Sequence, residues 1–209
     1  MPSREDLLKI FETAGAIRHG HFALSSGLHS GMYVQCALAL QYPRYAETLG
    51  KALAARFAEA EIEAVVSPAL GGLIVGQEVA RALPEAASKL MVQGAGVPAL
   101  FVERDARGAM VMRRGFALRA DQRVLVVEDV WTTGGSTQEA IRVVQEAGGR
   151  VVAAGALIDR SGGKIDFPVK AQALLDLTSP AISRTIVRCA GKVPLPSNRE
   201  ADLRAPRTD

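Results

Sequence analysis

Two adjacent carboxylates, Glu128 and Asp129, stand between a run of β-branched residues and a loop of threonines, glycines and serine. Such a pair accepts hydrogen bonds and donates none, so it suits a vicinal diol, a metal, or a positive charge that develops beside it. Downstream, Val130-Trp131-Thr132-Thr133-Gly134-Gly135-Ser136-Thr137 is rich in hydroxyls and mostly short side chains. A loop of this kind entering a helix presents free N–H groups and the positive end of the helix dipole to an anion. It is not a nucleotide P-loop, which needs Gly-x4-Gly-Lys-Ser/Thr, because no lysine occurs between Lys89 and Lys164. A phosphate on the loop with a diol over the acids describes a sugar 5-phosphate.

The elements around this string must put both parts at one edge of a sheet. Val124 to Val127 is continuously apolar, as a strand buried on both faces is. Ser136 and Glu139 have capping-box spacing, and Ala140, Ile141, Val143, Val144 and Ala147 form a helical stripe ending at Gly148-Gly149. The remaining pattern predicts helices over 3–14, 43–60 and 71–83, a strand-rich segment over 22–40, and a short buried strand at Ala64–Ser67. Further strands are expected over 97–103 and 110–118, joined by an Asp105–Gly108 turn, and over 150–158 and 171–177. Strands alternating with helices imply a parallel α/β sheet, whose ligand crevice lies at the carboxyl ends of its strands.

Two further segments could take part. Val66-Ser-Pro-Ala-Leu-Gly-Gly72 follows a strand with two glycines, equally consistent with close approach to a ligand and with an ordinary βα turn. Arg160 follows the 150–158 strand, where a guanidinium can hold a planar carboxylate by two parallel hydrogen bonds. Gly71 to Gly76 has Walker spacing but continues as Gln77-Glu78. Gly94-Ala-Gly-Val-Pro-Ala99 lacks the strand–turn–helix context of a dinucleotide fingerprint. His19, His21 and His29 have no cysteine or carboxylate cluster beside them in the sequence, so no protein metal site is expected.

Composition bounds the class. The chain has 209 residues, 48% of them hydrophobic and 22% charged, which fits a globular domain with a sizeable core. A net charge of +3 suits an anionic substrate and is too dispersed to argue for nucleic acid. No apolar run is long enough for a membrane span, and Met1-Pro2-Ser3-Arg4 does not open a signal peptide. Cys36 and Cys189 are expected as free thiols, which together points to the cytoplasm. One domain is expected over 1–193, with a flexible polar tail over 194–209.

The string Val126-Val-Glu-Asp-Val-Trp-Thr-Thr-Gly-Gly-Ser136 resembles the phosphoribosyl diphosphate (PRPP) signature of the type I phosphoribosyltransferases. With Phe22–Tyr33, Val66–Gly72 and Leu157–Arg160 in this order, the chain is similar to their orotate branch over residues 5–190. The resemblance implies a parallel-sheet type I phosphoribosyltransferase fold with a small strand-rich N-terminal hood. It implies PRPP and orotate as substrates, Mg2+ held mainly by PRPP, and a homodimer, without nucleic acid or membrane. It assigns PRPP binding to Arg104, Glu128, Asp129, Val130, Trp131, Thr132, Thr133, Gly134, Gly135, Ser136, Leu70 and Gly71. Catalysis falls to Glu128, Asp129 and Arg104, and orotate binding to Thr132, Arg160 and Tyr33. Two departures stand out: the 103–114 lid, expected to be mobile, carries Arg104, Arg107, Arg113 and Arg114 and no lysine, and Ser25-Ser26-Gly27 lacks a lysine. The rivals are transfer to another base, such as a purine, and a non-catalytic PRPP-sensing regulator.

Overall fold

The computed structural model describes residues 1–23, 29–84 and 95–177. Helix α1 (Arg4–Thr13) leads to β1 (Ile17–Ala23) and β2 (His29–Val34), which pair in a two-stranded sheet. Helices α2 (Ala37–Leu40) and α3 (Pro43–Ala54) follow, and α3 runs into a 3-10 turn over Ala55–Ala60. The remaining elements are β3 (Ala64–Pro68), α4 (Gly72–Ala82), β4 (Ala99–Arg104), β5 (Met110–Met112), β6 (Arg123–Trp131), α5 (Gly135–Glu146), β7 (Arg150–Asp159) and β8 (Lys170–Asp176). Their strands form one sheet of order β5-β4-β3-β6-β7-β8, parallel throughout except for the β4–β5 hairpin. The chain divides into two compact units: one of Met1–Ile17 and Val34–Thr178, which holds this sheet, the other including Arg18–Tyr33. Ser25-Ser26-Gly27, Cys189 and the 194–209 tail lie outside the described residues.

Three boundaries differ from the sequence pattern. The N-terminal strand begins at Ile17 rather than Phe22, and the segment that follows ends in the helical turn α2. The 110–118 strand stops at Met112, because Arg114 takes a left-handed backbone (φ 66°) and Phe116 turns back to donate its N–H to Arg113 O at 3.2 Å. The helix from Pro43 tightens to 3-10 at Ala55 and closes on left-handed Glu61.

Burial on both faces explains the apolar runs of β3 and β6. Ala64, Val66, Val124 and Val126 share a cluster with Ala140, Ile141 and Val144 of α5. Alternate side chains point the other way, as strand geometry requires; on that face α4 crosses Val65 and Ser67 at Gly76, and Phe57 and Leu53 cover Gly155. Glu63 holds the amino ends of β3 and β6 in register: its N–H donates to Arg123 O at 2.8 Å, and its Oε2 accepts from Arg123 N at 2.8 Å. Helix α5 ends in a Schellman arrangement, with Gly149 N–H on Val144 O and Gly148 N–H on Gln145 O. Ala147, predicted on the buried stripe, is exposed there because it is the cap residue.

Helices α3 and α4 cross at Gly50, where an added Cβ would meet the Glu78 backbone carbonyl carbon at 2.8 Å. Overpacking costs about 1–3 kcal/mol, against a helix-propensity gain of about 1 kcal/mol. Gly50→Ala should therefore lower the melting temperature by a few degrees, at about 2–4 °C per kcal/mol. A variant that melts at the parental temperature would refute this close crossing.

Candidate active site

The sheet order makes the site. The chain leaves β3 through α4 for β4 on one side, and leaves β6 through α5 for β7 on the other. Where adjacent parallel strands send their connections opposite ways, a crevice opens at their carboxyl ends. The loops after β3 and β6, both singled out in the sequence, meet there.

Glu128 and Asp129 lie within β6, which continues through Trp131 rather than ending at Val127. Glu128 is buried, with the Asp129 carboxyl and the Thr137 hydroxyl as its polar neighbours. Burial, reinforced by the neighbouring Asp129 charge, pushes the Glu128 carboxyl up to about 8. Burial also raises Asp129, opposed by the Val130 N–H that donates to its Oδ1 at 2.9 Å. Beneath the strand the Cys36 thiol approaches Asp129 O at 3.9 Å; burial pushes this free thiol well above its ordinary range.

The Gly71-Gly72 pair is filled by the protein's own strand. A Cβ on Gly71 would lie 2.6 Å from Asp129 Oδ1, and one on Gly72 would lie 2.9 Å from Val127 O. Both glycines thus let the β3 loop press against the acid-bearing segment. Leu70, expected with Gly71 to meet PRPP, is 82% exposed.

Residues Glu128 to Thr137 line a cavity of about 230 Å³. Its floor depends on Gly134, which is left-handed (φ 74°) and has no room for a side chain: a Cβ would meet Ile165 Cγ2 at 2.7 Å. The capping box expected from Ser136 and Glu139 does not form. Gly134 is the N-cap, with no side-chain cap bond, so Ser136 falls inside the first turn. Glu139 turns instead to Arg104, accepting at 2.9 and 3.2 Å. The first turn of α5 therefore keeps N–H groups facing the cavity, and Thr133 Oγ1 meets only that of Gly135, at 3.4 Å.

The other expected residues are distributed as follows. Thr132, Thr133 and Ser136 are exposed on the loop, whereas Trp131 is buried. Arg104, at the end of β4, also donates to Gly108 O at 2.6 Å across the hairpin turn. Asp105 Oδ1 accepts from the N–H groups of Arg107 and Ala109, and Glu103 pairs with both Arg113 and Arg114, so the lid segment folds back as a hairpin. Arg160 sits at the end of β7, its N–H on Trp131 O at 2.8 Å, which fixes it beside the β6 loop. It is half-buried, and desolvation pulls its guanidinium below the ordinary arginine value. Tyr33 lies on β2 in the other unit, its ring 5.7 Å from that of Phe22. Among the described residues no three His, Cys, Asp or Glu side chains gather as a metal site, and no helix is long and apolar enough to cross a membrane.

The family model for the phosphoribosyl transferase domain matches residues 40–170. The chain is 50% identical to an orotate phosphoribosyltransferase of Pelotomaculum thermopropionicum over 83% of this chain and 84% of that one. It is 46% identical to that of Carboxydothermus hydrogenoformans over 91% and 94%. The chain belongs to the orotate phosphoribosyltransferases. Among solved structures, the Mycobacterium tuberculosis orotate phosphoribosyltransferase in complex with PRPP superposes with a TM-score of 0.63 at 26% identity, covering 84% of this chain and 96% of that one. The type I fold expected from the sequence is thereby shown.

Two residues of this orotate phosphoribosyltransferase carry roles that sequence spacing did not reveal. Thr137, read as a ligand donor, is only 1% exposed and serves the protein, accepting from Trp131 Nε1 at 3.0 Å. Glu139, read as a cap, is the partner of Arg104. The only signal for the first is the six-residue step from one buried side chain to another across the loop. The second pair spans 35 positions and leaves no local signal.

The buried acid sets a pH dependence. Glu128 ionises near 4.5 when unfolded and near 8 when folded, so the folded state holds a proton that the unfolded state has lost. Stability must fall as pH rises from about 4.5 to about 8, by on the order of a few kcal/mol at 1.36 kcal/mol per pKa unit. Glu128→Gln stays neutral in both states, so its melting temperature relative to the parent should rise between pH 5 and pH 8.5. A constant difference across that range would show that Glu128 is not buried as an acid.

Proposed function

We propose that this protein transfers the 5-phosphoribosyl group of PRPP to orotate, giving orotidine 5′-phosphate and pyrophosphate in pyrimidine biosynthesis. The observation that carries this is the meeting, at one edge of the sheet, of a hydroxyl-lined cavity at a helix N-terminus, an acid pair of buried Glu128 and half-buried Asp129, and the half-buried Arg160. The 5-phosphate sits on Thr132–Ser136 and the first turn of α5, and the ribose hydroxyls sit over Glu128 and Asp129. As the bond from the anomeric carbon to the diphosphate oxygen breaks and the bond to the base nitrogen forms, the ribose becomes cation-like. An acid pair already fixed in the sheet faces that charge without reorganising.

The diphosphate leaves toward Leu70–Gly71 and Arg104. Arg104 is bound to Glu139 on the surface, and such exposed pairs are worth about 0–1 kcal/mol. A diphosphate oxygen can therefore replace Glu139 at little cost. Arginine stays protonated, so it neutralises the leaving group without donating a proton. Mg2+ keeps several waters and binds phosphate oxygens with one or two carboxylates at most. A site with a single acid pair fits an ion carried in mainly by PRPP, where it supplies charge neutralisation. Arg160, with Thr132 beside it, takes the orotate carboxylate; a purine offers it no such partner. The part of Tyr33 in base binding, the homodimer, the cytoplasmic setting and the single-domain reading of 1–193 rest on the family resemblance and the sequence.

The direct test mixes the protein with Mg2+, PRPP and, separately, orotate, uracil, adenine or guanine, and follows pyrophosphate. Release is expected with orotate alone; release with a purine, or with none of the four, overturns the proposal. Within it, Arg160→Ala strands the carboxylate, a loss of about 2–5 kcal/mol, or about 30- to several-thousand-fold in kcat/KM for orotate. PRPP affinity should change only about threefold, since that site is built on another strand and loop. Orotate use at the parental rate would place the carboxylate elsewhere. Changing Glu128 and Asp129 together to amides should cut turnover far more than PRPP binding; parental turnover would remove the pair from the chemistry.

A further inference from the structure

Trp131 is the one tryptophan of the chain, a buried residue in the wall of the cavity. Its ring packs on Phe167, with centroids 4.8 Å apart, and against Ala154 and Ala156 of β7. Its Nε1–H lies 3.0 Å from Thr137 Oγ1, with both side chains buried. An indole N–H can only donate, so the Thr137 oxygen must accept from it. The proton of the Thr137 hydroxyl is then free to turn toward the neighbouring Glu128 carboxyl, whose charged form Thr137 favours. The direction of the first link is fixed, Trp131 Nε1–H to Thr137 Oγ1, and Thr137 in turn stands beside the Glu128 carboxyl.

Thr137 is the third residue of α5, the helix whose first turn faces the cavity. Phe167 and Ile165 also close over Gly134, so one packed segment braces both the indole and the loop's left-handed glycine. Resting on the phosphoribosyl-transfer reading, we propose that Trp131 and Thr137 are positioning residues: they lock the phosphate-binding helix to Glu128 and hold that carboxyl at the angle the ribose needs. Neither touches substrate through its side chain. The relay aligns an acid already buried beside Asp129, so its loss falls on turnover rather than on capture of PRPP.

The test compares the full-length parent with Thr137→Ser, Thr137→Val and Trp131→Phe, and with the Trp131→Phe/Thr137→Val double variant. Pyrophosphate release is followed at saturating orotate over a range of PRPP with Mg2+. Thr137→Val should lower kcat about tenfold with PRPP KM within about threefold, as loss of a hydrogen bond to a carboxyl implies. Thr137→Ser should stay near the parent, Trp131→Phe should lose less than Thr137→Val, and the double variant should be no worse than Thr137→Val. Parental kcat in Trp131→Phe, a serine variant as impaired as the valine, or losses that multiply in the double variant would each overturn the proposal. The single indole N–H resonance gives a readout independent of activity: it should shift upfield in Thr137→Val and stay in place in Thr137→Ser. An indole resonance unmoved by Thr137→Val removes the relay whether or not the enzyme turns over. A parent inactive with orotate would instead sink the functional reading, leaving the indole shift to decide the hydrogen bond. If Thr137→Val does not fold, Trp131→Phe and Thr137→Ser decide the matter on the same criteria.

Discussion

Strands β3 and β6 run parallel and adjacent, Val65 level with Leu125, yet the chain leaves them in opposite directions. That divergence opens the crevice, and everything that could do chemistry is placed by it. The register depends on Glu63, whose backbone and carboxylate both bond Arg123 at the far end of the pair. Sliding β6 by one residue would exchange its two faces, carrying Glu128 from Thr137 to the α4 side. The loop after β3 can press on Asp129 only because Gly71 and Gly72 lack side chains.

Within the crevice, burial and openness are divided between neighbours. Glu128 is desolvated by the protein around it, while the first turn of α5 receives from side chains only the long 3.4 Å contact of Thr133 Oγ1 with Gly135 N–H. The charge arrangement follows the same division. Acids lie at the centre, cationic Arg104 stands at one rim held by Glu139, and Arg160 stands at the other, tied through its backbone to Trp131. An anionic sugar phosphate and an anionic base can then flank a ribose that becomes positive between them.

The string from Val124 to Ser136 was legible because a doubly buried strand must be an apolar run and a phosphate loop must be short-chained. The alternation of elements gave the parallel class, but strand order comes from packing and appears in no single segment. Local pattern failed where one residue had two uses. Ser136 and Glu139 have the spacing of a capping box, yet Gly134 adopts a left-handed conformation that starts the helix one residue before Ser136, and a distant arginine takes Glu139. Trp131 extended β6 beyond its expected end because a large apolar side chain could still pack on Phe167. The Met110 strand ended early because Arg114 bends back to Glu103, a contact across the hairpin that periodicity does not encode.

The central claim is that the loop from Thr132 to Thr137 seats the phosphate of a ribose 5-phosphate. Titrating the 15N-labelled protein with ribose 5-phosphate and following backbone amides tests it without depending on turnover or on the base. The amides of Thr133 through Thr137 should show the largest shifts, since these residues line the cavity and the helix dipole ends there. If those amides stay in place while a different set moves, the phosphate binds elsewhere and the account of this site is wrong.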